Sequence, residues 1–127
     1  MSDDQSISSK EATLLATASD LYRAGKLEDS RKSCKKVVSI NPENSDANHL
    51  LGIIYFSEGR PDIAEKHLRR AAHSAPLDAT IHCNLGLVLA SQGNIDESVA
   101  EYNSALELSL IHISEPTRRR LESRWGA

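Results

Sequence analysis

Apolar residues fall along the chain with helical spacing, in short stretches separated by polar punctuation. Between residues 45 and 78, Leu51, Ile54 and Tyr55 share one face. Ile63, Ala64, His67, Leu68 and Ala71 share a face of the stretch that follows. Gly59-Arg60-Pro61-Asp62 separates the two, with glycine at a helix end and proline near the next start. Asn41-Pro42 and Ala75-Pro76 close the stretches before them, because the residue ahead of a proline is pushed out of the α region. The pattern predicts six helices, near 10–24, 27–40, 45–58, 61–74, 79–92 and 95–108. Gly52 and Ala64 are small where the two helices of the middle unit should cross, so the backbones can approach.

The punctuation is periodic. Gly25, Gly59 and Gly93 are 34 residues apart, and so are Pro42 and Pro76, Leu51 and Leu85, Gly52 and Gly86, and Ala71 and Ala105. The middle unit, 45–78, resembles the tetratricopeptide repeat, with Leu51-Gly52, Tyr55, Ala64, Leu68 and Pro76 at the family's marked positions. Asn48 stands where the family pattern has Trp. The third unit keeps Leu85-Gly86, Gly93, Tyr102 and Ala105, with Leu89 for Tyr and Ser98 for Ala. The first keeps Gly25 and Pro42 but reads Thr17-Ala18 at the Leu-Gly pair. The resemblance implies an all-α fold, an α-solenoid of about three helix-turn-helix repeats in a right-handed superhelix of six antiparallel helices. The expected organisation is a flexible N-terminus at 1–9 and a repeat domain at 10–112, with repeats 11–44, 45–78 and 79–112. A disordered, non-native tail at 113–127 follows.

That last expectation comes from the residues at the end. The third unit has Leu110 where the others have Pro42 and Pro76. Leu108–Arg118, LSLIHISEPTR, resembles a translated sequencing-adapter sequence. On that reading the helix ends at or before Glu115, ahead of Pro116, and Arg118–Arg120 carry no information about partners.

Composition narrows the function classes. With 4% aromatic residues a β-sandwich is disfavoured, and 39% hydrophobic with 26% charged residues is globular. A net charge of −3 argues against nucleic-acid binding by phosphate neutralisation. Two cysteines make no disulfide framework, and the opening MSDDQSISSK lacks the pattern of a signal peptide, so a cytoplasmic setting away from membranes is expected. No phosphate loop, dinucleotide fingerprint, nucleophile elbow or zincin motif occurs, so no catalytic residue or cofactor is assigned. The five histidines and two cysteines lack metal-ligand spacing, and no metal is expected. Cys34, at an apolar position of a second helix, reads as a small buried hydrophobe.

In the family that the repeats resemble, the first helix of each pair lines a concave groove that holds peptides. Carried over, the partner-binding positions are Tyr22, Arg23, His49, Ile53, Phe56, Cys83, Asn84 and Leu87, with Leu15, Ser19, Leu50 and Ala90 on the same face. Only Arg23 and Asn84 are polar candidates for gripping a terminal carboxylate, which argues against chaperone-tail binding through a carboxylate clamp. Asn84, just before Leu85-Gly86, resembles a single rung of the asparagine ladder in protein O-GlcNAc transferases. The charged residues of the second helices read as a solvated outer face. The expected function is a non-enzymatic scaffold that binds a peptide or protein. The alternative is a truncated substrate-presenting arm of a larger enzyme, such as a glycosyltransferase or sulfotransferase.

Overall fold

The computed structural model describes the backbone from Ser2 to Trp125 and the side chains of residues 9–110. Six helices follow one another: α1 (Ser2–Arg23), α2 (Leu27–Ile40), α3 (Ser45–Ser57), α4 (Pro61–Ser74), α5 (Ala79–Ser91) and α6 (Ile95–Trp125). They pair as α1 with α2, α3 with α4 and α5 with α6, and the pairs stack through α2 on α3 and α4 on α5. Helix α3 also touches α1 and α5, whereas α2, α4 and α6 do not touch one another among the described residues. The first helices therefore form the inner row of an α-solenoid.

Each turn within a pair is built the same way. Gly25, Gly59 and Gly93 take φ of 80°, 78° and 84°, the left-handed region that side chains disfavour. The next amide then reaches back five residues, Lys26 to Leu21, Arg60 to Tyr55 and Asn94 to Leu89, at 2.9 Å in each case. This is the glycine-terminated helix end that satisfies the last free carbonyls. Between pairs, Asn44 and Asp78 accept from the first-turn amides of α3 and α5 at 2.9 Å.

The core runs continuously through the stack, with Ala18, Cys34, Leu51, Tyr55, Ala64, Leu68, Leu85, Val88 and Leu89 in one buried cluster. Gly52 sits where α3 meets α4: a methyl group there would lie 2.5 Å from Leu68 Cγ. At Gly86 the same methyl would lie 3.1 Å from the Tyr102 ring and 3.2 Å from the Ser98 carbonyl. Serine replaces the family's alanine at two of the three crossings, and the hydroxyl has a purpose there. Ser30 Oγ donates to the Ala18 carbonyl at 2.7 Å, and Ser98 Oγ donates to the Gly86 carbonyl at 2.8 Å. Cys34 is buried, as expected, and burial pushes its thiol up to about 11 against the opposing hydrogen bond from Ser30.

The four interior helices lie where the sequence placed them, within one residue. The outer two run longer: α1 begins at Ser2 rather than near Lys10, and α6 continues through Pro116 to Trp125 rather than ending by Glu115. An internal proline costs about 3 kcal/mol in a helix, and the extended preference of the residue before it is a tendency that this helix overrides. The expectations of a flexible N-terminus at 1–9 and a disordered tail at 113–127 concern segments whose side chains, at 1–8 and 111–127, lie outside the described residues.

A candidate partner-binding groove

The inner row places most of the expected groove residues on one surface, in two adjoining depressions. The first, about 240 Å³, lies between α1 and α3 and is lined by Leu15, Ser19, Asp46, His49, Leu50 and Ile53. The second, about 90 Å³, lies between α3 and α5 under Ile53, Phe56, Leu87 and Val88, with Asn84 at its edge and Gly52 and Leu68 beneath. Its walls are almost wholly apolar, and its size suits one aliphatic side chain rather than an aromatic ring.

His49 and Asn84 join the two depressions. They come from neighbouring repeats, and Asn84 Nδ2 lies 2.8 Å from His49 Nε2. An amide nitrogen only donates, so Nε2 accepts and the imidazole carries its proton on Nδ1. Burial holds His49 below the usual histidine range, against the opposing pull of Asp78 and Asp46. The pair thus presents a neutral ring and an amide beside an apolar cleft.

The remaining expected positions lie apart from this centre. Tyr22 and Arg23 are exposed at the end of α1 and line neither depression, and Arg23 meets Asp20 at 3.5 Å. Cys83 is exposed and lines a third concavity, of about 410 Å³, at the far end of the stack, which shares Asn84. Phe56 is half-buried and packs on the core as well as on the cleft. Asp46 lines the first depression although nothing in its sequence context marks it.

Other polar residues are structural ties. Asn48, in place of the family's Trp, donates to the Pro42 carbonyl at 2.9 Å and lies 3.0 Å from His67 Nδ1. One repeat later, His82 lies 2.7 Å from the Pro76 carbonyl and 2.7 Å from Glu101 Oε1. Both partners of His82 are acceptors, an arrangement that favours the imidazolium form. Burial works against that charge, but Glu101, the Pro76 carbonyl and Asp78 outweigh it and raise the pKa. The outer-face charges are less free than the sequence suggested. Arg31 reaches Glu58 at 2.6 Å and Arg69 reaches Glu97 at 2.7 Å, both across repeat boundaries. Among the described residues no three His, Cys, Asp or Glu side chains converge as metal ligands.

Comparison with known proteins agrees with this architecture. Over 82 residues the chain is 30% identical to a probable biofilm formation methyltransferase, WspC, of Pseudomonas putida, covering 65% of this chain and 19% of that protein. The chain spans between 10% and 32% of the length of the curated relatives it matches. Among solved structures, a mutant O-GlcNAc transferase of Thermobaculum terrenum superimposes with a TM-score of 0.77 at 35% identity, over 80% of this chain and 20% of that one. The second tetratricopeptide domain of Spaghetti (RPAP3), bound to an HSP90 peptide, superimposes with a TM-score of 0.76 at 14% identity, over 82% of this chain and 98% of that one, which shows a shared fold. The family model described as tetratricopeptide repeat matches residues 15–62 and 49–109, most of the chain, and the chain belongs to that family.

Proposed function

We propose that this chain is a protein-interaction scaffold that holds an extended peptide or protein segment in the groove formed by α1, α3 and α5. The observation that carries this reading is the apolar cleft under Ile53, Phe56 and Leu87 beside the His49–Asn84 pair. An aliphatic side chain of the ligand would fill the cleft, and the Asn84 carboxamide would hydrogen-bond the ligand's backbone. The groove holds no cluster of lysines and arginines for a terminal carboxylate, and Arg23 stands away from the cleft beside Asp20. Binding through a carboxylate clamp is therefore not part of the proposal. The net charge of −3 likewise disfavours nucleic acid. No described helix is long and apolar enough to cross a membrane.

A second reading keeps the groove and changes its context. The similarity to an O-GlcNAc transferase at 35% identity, over only 20% of that chain, favours an arm that presents substrate to a catalytic domain. In both readings the residues described here bind and do not catalyse.

Peptides selected on the immobilised chain from a random library test the proposal. Leu87→Glu puts a charge into the cleft from an exposed position and should weaken the selected ligands at least about tenfold. Ligands that bind the wild-type chain and Leu87→Glu equally well would remove the groove as the site.

A further inference from the structure

The two depressions of the groove differ in charge. The cleft between α3 and α5 is lined by no ionisable side chain. The depression between α1 and α3 is lined by two, Asp46 and His49, together with Leu15, Leu50, Ile53 and Ser19.

The repeat gives Asp46 a reference. One repeat earlier the position holds Ala12, and one repeat later Thr80. Helix α5 carries no acid in its first turn, so an inner-row helix does not need one in order to start. The other acids near the groove are engaged. Asp20 meets Arg23 at 3.5 Å, and Asp78 accepts from the Thr80 and Ile81 amides at the start of α5. Asp46 is exposed, and among the described residues it has neither a hydrogen-bond partner nor an ion pair.

Of the residues lining the two depressions, only His49 could neutralise that carboxylate. Its Nε2 accepts from Asn84 at 2.8 Å, so the ring is neutral, and a second proton would cost that hydrogen bond. Burial holds the ring below the usual histidine range although Asp78 and Asp46 pull the other way. No lysine or arginine lines either depression. The α1–α3 depression therefore joins apolar walls to a carboxylate without a counter-ion. That combination suits a side chain with a methylene stem and a cationic head, which packs its stem on apolar surface and keeps its head at a polar edge.

Resting on the groove proposed above as the binding site, we propose that the α1–α3 depression is a subsite for a lysine or arginine of the bound segment. The stem packs on Leu15, Leu50 and Ile53, and the head meets Asp46. Ile53 lines both depressions, so the cationic residue sits close to the aliphatic residue that fills the α3–α5 cleft. In an extended segment alternate side chains face the same way, about 7 Å apart. The ligand is then an extended segment with an aliphatic residue and a base two positions apart.

Peptides selected from a random phage-displayed library on the immobilised whole chain are the probe. They should be enriched in Lys or Arg two positions from an aliphatic residue. Asp46→Asn should weaken a selected peptide about two- to fivefold, and less so in high salt. Replacing the base of the peptide with Gln should cost the same, and the two changes together no more than either alone. Asp62→Asn, which makes the same change of net charge at the start of outer-row helix α4, should leave affinity within about 1.5-fold. Selection on Asp46→Lys should enrich Asp or Glu in place of the base. Absence of the base from the selected peptides overturns the proposal, as do equal losses in Asp46→Asn and Asp62→Asn. Peptides that weaken in Leu87→Glu but bind Asp46→Asn as tightly as the wild-type chain overturn the cationic subsite and leave the groove standing. Peptides indifferent to Leu87→Glu remove the groove and this subsite with it.

Discussion

The crossing of α3 and α4 makes a sharp prediction for Gly52→Ala. On helix propensity alone the change should stabilise the chain by about 1 kcal/mol, since Gly is the poorer helix former. Packing opposes this. The new methyl would sit 2.5 Å from Leu68 Cγ and 2.8 Å from Cδ2, and Cγ is a branch point close to the backbone rather than a mobile tip. Leu68 is wholly buried, so relief would require it to repack into the cleft of about 90 Å³ that it lines. Overpacking of this kind costs about 1–3 kcal/mol, which leaves a net loss of up to about 2 kcal/mol after the propensity gain. Gly86 is the internal control. There the neighbours are a partly exposed Tyr102 ring at 3.1 Å and the Ser98 carbonyl at 3.2 Å, so a shift of a few tenths of an ångström relieves the contact. Gly86→Ala should therefore be better tolerated than Gly52→Ala by about 1 kcal/mol or more. Urea melts measure both through the midpoint at constant slope. In the Leu68→Ala background the Gly52→Ala penalty should vanish, a coupling that a double-mutant cycle reads directly. Gly52→Ala that stabilises by the full propensity gain would refute the close crossing.

Other consequences are simpler to state. Ser98→Ala removes the hydroxyl bond to the Gly86 carbonyl and should cost about 0.5–1.5 kcal/mol in the same melts. The raised pKa of His82 means that its stabilising contribution is complete below the free-imidazole value near 6.5 and is lost as pH rises through the higher folded value. His49 and His67 have lowered pKa values, by burial first, so their contribution is complete above that range and declines as pH falls toward the folded values. Proton NMR titration should accordingly show His82 titrating at higher pH than the other two, and the reverse order would contradict the assigned partners. Removing residues 116–127 should change the melting midpoint little, and a large loss would show that the tail packs on the repeats.

Much of the fold is written in the 34-residue frame. Gly25, Gly59 and Gly93 mark the turns because only a left-handed residue closes that helix end, and Pro42 and Pro76 mark the boundaries by steric exclusion. Those are local constraints, so spacing reveals them. What spacing does not reveal depends on the angle between neighbouring helices. His49 and Asn84 are 35 residues apart and meet only because α3 and α5 lie side by side. The ties of Asn48 to His67 and of His82 to Glu101 form across one helix pair, and in the sequence Asn48 reads only as a replaced tryptophan. Ser98 reads in the sequence as a departure from the alanine of the pattern, yet its hydroxyl, like that of Ser30, donates to the carbonyl opposite. The end of α6 lies beyond the expected one because the rule for the residue before proline is a preference and not a prohibition.

The central claim is that the inner row of first helices, and not the charged outer face, engages a partner. Methyl NMR of the chain with a selected peptide ligand tests it directly. The account predicts shifts confined to Leu15, Leu50, Ile53, Leu68, Leu87 and Val88, the methyl-bearing lining of the two depressions, with loss of those shifts in Leu87→Glu. Shifts confined to the second helices, at Val38, Ile63 and Ala72, would place the ligand on the outer side and contradict it.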